Sequence, residues 1–200
     1  MEYIKSIAVL LLWGCVLMTT EVVAEEANKH IRQAIFAGGC FWCMQPPFDQ
    51  AEGVLHTEVG YTGGHTPSPD YAQVSRGDTG HVEAIRVSYD DRRTNYAKLL
   101  TIYWHNIDPT QADGQFVDRG PQYRTVIFYD GVSEQREAEA SKSLLQQQFK
   151  DPIAVELRPI ATFYPGEAYH QEYYKKNPLR YKQYKKGSGR EAYLNQQSEH

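Results

Sequence analysis

Apolar and polar residues alternate most regularly over His81–Tyr89, and that two-residue period predicts a strand. Gln33–Ala37 and Val54–Tyr61 read as two more strands, the first stopped by Gly38-Gly39. Arg124–Tyr129 predicts a fourth, and 153–163 a fifth that is interrupted by Pro159. Elsewhere the period lengthens. Tyr96, Leu99, Leu100 and Tyr103 fall at helical spacing and predict a helix over 94–106. An amphipathic helix is predicted over 133–149, and another over 167–176, after Pro165-Gly166. A helix should also start near Cys40. Pro46-Pro47 then predicts a kink or a second helix starting at Pro47, since a proline beyond the first turn removes a backbone bond. Residues 63–80, rich in Gly, Pro, Ser and Asp, read as a loop, and so do 108–123. From Asn177 onward the chain is basic, polar and Tyr-rich, which predicts a tail wrapping the surface.

Strands and helices alternate with hairpin-like returns. The expected fold is therefore α+β, a two-layer sandwich on a mixed sheet, with a ferredoxin-like core, extended loops and the C-terminal tail. The length of 200 residues suits one domain that buries roughly 70% of its unfolded surface without a disulfide framework. With 41% hydrophobic and 23% charged residues, wholesale disorder, collagen and coiled coil are excluded. A net charge of −4 gives no basic excess for nucleic acid. Tyrosine outnumbers phenylalanine 15 to 7, and buried tyrosines need hydroxyl partners, so a polar, aromatic-walled region is expected.

Residues 1–24 read as a secretory signal. Lys5 is basic, Ile7 through Met18 are apolar, and Val22-Val23-Ala24 precedes the acidic Glu25-Glu26. An uncleaved anchor and a lipoprotein cut before Cys15 are the alternatives. Cleavage after Ala24 leaves a single domain over 25–200, with its core at about 31–180 and a tail at 181–200. It also leaves two cysteines, Cys40 and Cys43, and implies a periplasmic or secreted protein, expected to be a monomer.

Candidate chemistry concentrates at Gly38-Gly39-Cys40-Phe41-Trp42-Cys43. A cysteine at a helix start sits among free N–H groups that favour an anion, which predicts a lowered Cys40 pKa. Cys43, one turn on, can close a small disulfide with it. Zinc would need two more ligands at suitable spacing, and a c-type haem would need His where Met44 stands. A plain structural disulfide remains open, and Phe41 and Trp42 can equally be core residues. On the strand, Glu83 shares a face with His81, Ile85 and Val87. Buried there, it would be held protonated by desolvation. An exposed Glu83, or one paired with Arg86 or Arg124, is the alternative, and His81 reads as a core or rim histidine.

The string Gly39-Cys40-Phe41-Trp42-Cys43 resembles the signature of the A-class peptide methionine sulfoxide reductases. Four further segments follow in the family's order. They are Val59-Gly60-Tyr61 with Gly63-Gly64 and Pro69-Asp70-Tyr71; Ser75 through Glu83; Asp118 with Gly120, Gln122, Tyr123 and Arg124; and Tyr169-His170-Gln171-Glu172-Tyr173 with Asn177-Pro178. The resemblance covers about residues 31–180. It implies that Cys40 attacks the sulfoxide sulfur, Glu83 gives the oxygen a proton, and Tyr71 and Tyr123 hold that oxygen. It implies that Phe41 and Trp42 wall the substrate methyl, with Asp118 and His170 orienting the site from behind. The implied substrate is the S epimer, free or in oxidised proteins. Cys40 is left as a sulfenic acid that a second thiol must resolve. Many members carry resolving cysteines near the C-terminus. This chain has none after Cys43, and its resemblance to members with the Cys-Phe-Trp-Cys form implies Cys43 as the resolving thiol. No metal or other cofactor is implied, and the reductant is a thioredoxin-like dithiol protein.

Two other classes share the Cys-x-x-Cys pattern. A thiol–disulfide oxidoreductase would not need Glu83, Tyr71 or Tyr123, and a secreted binding module would use the pair as a structural bond.

Overall fold

The computed structural model describes residues 29–197. The leader reading at 1–24 lies outside the described residues. Strands β1 (Ile31–Gly38), β2 (Val54–Thr62), β3 (Val82–Asp90), β6 (Thr125–Tyr129), β7 (Glu156–Pro159) and β8 (Tyr164–Pro165) form one sheet in the order β7-β6-β1-β3-β2-β8. Its neighbours are antiparallel except β6 and β7, which run parallel, so the sheet is mixed as expected. Helices α1 (Phe41–Asp49) and α3 (Tyr96–Trp104) connect β1 to β2 and β3 to β6. The central strands β6-β1-β3-β2 with these two crossovers make the ferredoxin-like core.

Alternation along β1 explains how the sheet is filled. Ala34 and Phe36 point to one face, Ile35 and Ala37 to the other. The first face packs against α1, α3 and α4 (Gly131–Gln146). Phe36 sits at its centre, with its ring 5.3 Å from both Phe48 of α1 and Tyr103 of α3. On the other face Ile35, Ala37, Val82, Ala84, Val126 and Phe128 form a smaller cluster beneath Phe163.

Several expectations need correction. Helix α1 runs unbroken through Pro46 and Pro47, without a restart at Pro47. The segment 63–80 contains α2 (Tyr71–Ser75), opened by a capping box in which Asp70 and Gln73 exchange side-chain and backbone bonds. The segment 108–123 carries a two-stranded hairpin, β4 (Gly114–Gln115) with β5 (Asp118–Arg119), and a 3₁₀ turn at Pro121–Tyr123. Strand β7 covers only part of 153–163, and the chain then crosses to the far edge as β8. The helix predicted over 167–176 shrinks to α5 (Tyr173–Lys176), because Glu172 before it takes a left-handed conformation (φ 50). The tail carries helices that its polar pattern does not announce. It folds into α6 (Pro178–Gly187) and α7 (Arg190–Gln197), and α7 buries Arg190.

Candidate active site

β1 ends at Gly38, and the chain turns sharply through Gly39 (φ +78) into α1. A side chain at Gly39 would be strained by that angle and would meet the Gln115 Cβ at 2.5 Å. The turn leaves Cys40 as the N-cap of α1, with Cys43 in the first helical turn. Cys40 makes no capping hydrogen bond through its side chain, so its sulfur is free for other contacts.

The first free N–H of α1 points across to β3. Phe41 N donates to Glu83 Oε2 at 3.0 Å. The strand reading of β3 is correct, both of its faces enter apolar clusters, and Glu83 is buried, 3% exposed. Neither candidate arginine pairs with it: Arg86 bonds Glu58 and Arg124 bonds Glu156. Burial pushes the Glu83 carboxyl up to about 8, against the pull of the Phe41 amide. Near neutral pH it is a protonated acid beside the two thiols.

Cys40 corrects the expectation of a lowered pKa. It is 6% exposed, and burial drives its thiol well above the ordinary value. The hydrogen bond it gives Cys43 and the nearby Glu83 charge act in the same direction; the Tyr184 hydroxyl beside it opposes them. The Phe41 amide is spent on Glu83 and the Cys43 amide on the Cys40 carbonyl, not on sulfur. Cys43 moves the other way, lowered first by the hydrogen bond from Cys40 and then, against burial, by the Arg190 charge. Both cysteines are free thiols.

The predicted partners converge on this pair. Tyr71 begins α2, and its N–H donates to Glu167 Oε1 at 2.8 Å, while Tyr61 Oη donates to Glu167 Oε2 at 2.7 Å. Tyr123 comes from the 3₁₀ turn. The phenols of Tyr71 and Tyr123 are both raised, first by burial and then by the Glu83 charge, and both sense Cys40. Asp118, on β5, is also raised by burial, and it accepts a hydrogen bond from Tyr184 Oη.

The two aromatic candidates differ. Phe41 is buried among Val59, Tyr61 and Val74. Trp42 is half-buried and stacks flat on Tyr173 at 3.8 Å. Its indole N–H donates to His170 Nδ1 at 2.9 Å. His170 is held neutral by burial, pushed down to about 4, so its ring proton sits on Nε2. That Nε2 has no hydrogen-bond partner, with Glu167 Oε2 at 3.8 Å. His81 is a core histidine: its ring bonds Gly64 N and Thr66 O.

Sequence reasoning missed Glu167, Tyr184 and Arg190. Arg190, 2% exposed, reaches from α7 beneath the Gly38-Gly39 turn. It donates to Gly38 O at 2.7 Å and to Asn106 O, and lies over the Phe116 ring at 4.7 Å. The high tyrosine count was the one hint of Tyr184. Cavities of about 510 and 360 Å³ lie elsewhere, against α3, α4 and α7 and beside Asp49 and Glu172. The thiols sit beneath packed tyrosines instead.

The family model for peptide methionine sulfoxide reductase matches residues 32–200. The chain belongs to the peptide methionine sulfoxide reductase family. A peptide methionine sulfoxide reductase MsrA from Bacillus licheniformis is 53% identical over 165 residues, 82% of this chain and 91% of that protein. Reduced Mxr1 from Saccharomyces cerevisiae superposes with a TM-score of 0.72 at 30% identity, covering 75% of this chain and 87% of the yeast one. The methionine sulfoxide reductase A of Corynebacterium diphtheriae follows at 0.68 and 31%, covering 75% of this chain and 76% of that one. This chain is thus a methionine sulfoxide reductase, and its α+β fold is the one its reductase relatives share.

Proposed function

We propose that this reductase acts on the S epimer of methionine sulfoxide through a sulfenic acid on Cys40. In this reading the Cys40 thiolate attacks the sulfoxide sulfur while Glu83 gives its proton to the oxygen. Methionine leaves, and Cys40 carries the oxygen as –SOH. The observation that carries the reading is Glu83: a carboxyl buried to 3% exposure, raised to about 8 and tied to the helix that bears Cys40. A protonated acid there serves a reaction whose leaving oxygen must be neutralised, and such acids are worth typically 10²–10⁴-fold. Tyr71 and Tyr123 supply hydroxyls for the same oxygen. Trp42 faces the substrate methyl, backed by the buried Phe41, with His170 fixing the indole and Asp118 behind the thiols. Donors on one side and an apolar wall on the other favour one configuration at sulfur.

Cys43 then attacks the sulfenic acid, closing a Cys40–Cys43 disulfide and releasing water. The lowered Cys43 pKa supports that role, since the attacking species is a thiolate. A thioredoxin-like protein reduces the bond. Yeast Mxr1, which shares the fold, has also been solved in complex with Trx2. The leader pattern supports a cycle outside the cytoplasm, with a periplasmic or membrane-fed donor. Mass spectrometry of exported protein should find Glu25 as the first residue, and an intact Met1 would overturn the export reading.

Incubation with a racemic methionine sulfoxide peptide and dithiothreitol, read by chiral chromatography, tests the chemistry. The S epimer should vanish while the R epimer persists, and equal consumption of both would refute the proposed selectivity. With Cys43→Ser, a burst of about one methionine per enzyme should remain while thioredoxin-driven turnover collapses. Full turnover would remove Cys43 from the resolving role.

A further inference from the structure

Cys40 poses a problem that the groups assigned so far do not solve. The attacking species must be its thiolate, yet the sulfur is buried and burial raises its pKa. Glu83 cannot take the thiol proton, because it must itself be protonated to serve as the acid. Ionisation that simply sheds a proton to solvent creates a new charge in a desolvated site.

Tyr184 stands where a second route is needed. It belongs to α6, beyond Pro178, the last residue of the five family-like segments. Its hydroxyl bonds Asp118 Oδ2 on one side. On the other it lies within side-chain hydrogen-bonding reach of Cys40. Its ring meets Trp42 edge-on at 5.8 Å, which fixes the phenol in place. A hydroxyl has one proton and can accept as it donates, so a phenol between a thiol and a carboxylate can pass a proton along.

We propose that Tyr184 is a catalytic residue that relays the Cys40 proton to Asp118. The Cys40 S–H turns from Cys43 to the Tyr184 oxygen, and its proton moves there as the Tyr184 proton moves to Asp118 Oδ2. Cys40 becomes a thiolate, Asp118 a carboxylic acid, and Tyr184 ends neutral with its O–H turned to sulfur. A negative charge is moved within the site, not created there. Burial raises the Asp118 carboxyl, so it holds a proton more readily than an exposed aspartate does. Attack then breaks the sulfoxide S–O bond and forms an S–O bond on Cys40. Two electrons from the Cys40 sulfur reduce the substrate sulfur. The Glu83 proton ends on the sulfenic oxygen, and the Asp118 proton returns through solvent to Glu83. The sum is thiol plus sulfoxide to sulfenic acid plus methionine.

Other charged and titratable groups also face Cys40. Glu83 comes from β3, Cys43 from α1, Tyr71 from α2 and Tyr123 from the 3₁₀ turn. Tyr181 of α6 senses both cysteines, and Arg190 of α7 acts on Cys43 and Asp118. None of them links Cys40 to a carboxylate through a hydroxyl.

The inference rests on the reading of Cys40 as nucleophile, so the test begins from Cys43→Ser, which isolates that thiol. Alkylation of Cys40 by iodoacetamide and the single-turnover methionine burst are measured from pH 5 to 10. Adding Tyr184→Phe keeps the ring against Trp42 and removes the hydroxyl. The alkylation profile should move up by about one pH unit, and both rates at pH 7 should fall about tenfold. The KM for the sulfoxide should stay near that of the parent. Asp118→Asn in the same background should slow the burst in the same way, and it carries the test if Tyr184→Phe fails to fold. Profiles that superimpose within twofold would overturn the relay while leaving Cys40 as the nucleophile. A Cys43→Ser parent with neither burst nor alkylation would overturn the nucleophile and the relay together.

Discussion

The site is assembled from two regions built in opposite ways. The first is β1, α1 and β3, which carry Cys40, Cys43 and Glu83 on regular elements whose apolar faces enter the core. The second is α6 and α7. Helix α6 buries none of its residues, and α7 fully buries only Arg190. Its neighbour in kind, α3, is of similar length and buries Tyr96, Leu99, Leu100 and Tyr103. One region is thus held by a hydrophobic face, the other by single polar anchors: Arg190 under the Gly38 turn and Tyr184 on Asp118. A hydrophobic face is non-directional and tolerates substitution, whereas a polar anchor works only with its partners in place. The difference teaches where damage should show as lost chemistry and where as lost placement.

The sharpest division comes from Cys40→Ser. It should abolish both the methionine burst and turnover while leaving the melting temperature within a few degrees, and any residual burst would place the nucleophile elsewhere. Next comes Glu83→Gln, expected to slow single-turnover reduction on the order of 10²-fold or more. The wild-type burst should also decline as pH passes about 8, where the Glu83 carboxyl loses its proton. Stability supplies an independent check. The folded pKa lies above the unfolded one, so the folded state holds more protons between about 4.5 and 8, and stability falls as pH rises through that window. Glu83→Gln lacks that penalty. Its melting temperature should therefore gain on wild type from pH 5 to 8, and a constant gap would contradict the buried acid.

Arg190→Met probes the second region. It strips donors from the buried carbonyl of Gly38 and from Asn106 O, and each orphaned acceptor costs about 1–3 kcal/mol. We expect a loss of about 3 kcal/mol in urea unfolding. Disulfide closure should also slow, since Cys43 loses its nearby cation. Full stability would show that α7 is not anchored by this side chain. The smallest effect is expected from His170→Ala, which frees the Trp42 indole N–H. The KM should rise a few-fold with kcat nearly unchanged, and a large drop in kcat would move His170 into the chemistry.

The same contrast explains what the sequence disclosed. The spacing of Tyr96, Leu99, Leu100 and Tyr103 marked α3, because it records burial on one face. Alternation over His81–Tyr89 marked a strand but left Glu83 open between buried and exposed, because β3 is covered on both faces. The site residues Asp118 and Tyr123 could be named only through the family-like segments, since their hairpin and 3₁₀ turn are too short to show a period. Helices α6 and α7 have no apolar stripe, so nothing in their pattern announced a docked structure. Arg190 looked like one basic residue in a basic tail. Its burial depends on a pocket made by Gly38, Asn106 and Phe116, far away along the chain. The Cys40 pKa was misjudged for a related reason. A helix start was legible, but the carboxylate that would take its amide was not.

The two prolines inside α1 carry a mechanical consequence. Neither Pro46 nor Pro47 has an N–H to return to the carbonyls of Trp42 and Cys43, four residues back. Two rungs of the ladder are therefore missing between the turn that bears both sulfurs and the rest of the helix, each worth about 0.5–1.5 kcal/mol. The far end is clamped by Phe48, stacked on Phe36 in the core. The first turn therefore depends less on the helix ladder than on ties outside it, the Phe41 amide on Glu83 and the Trp42 indole on His170. The geometry of the two sulfurs is thus set by the strand and loop that hold those partners.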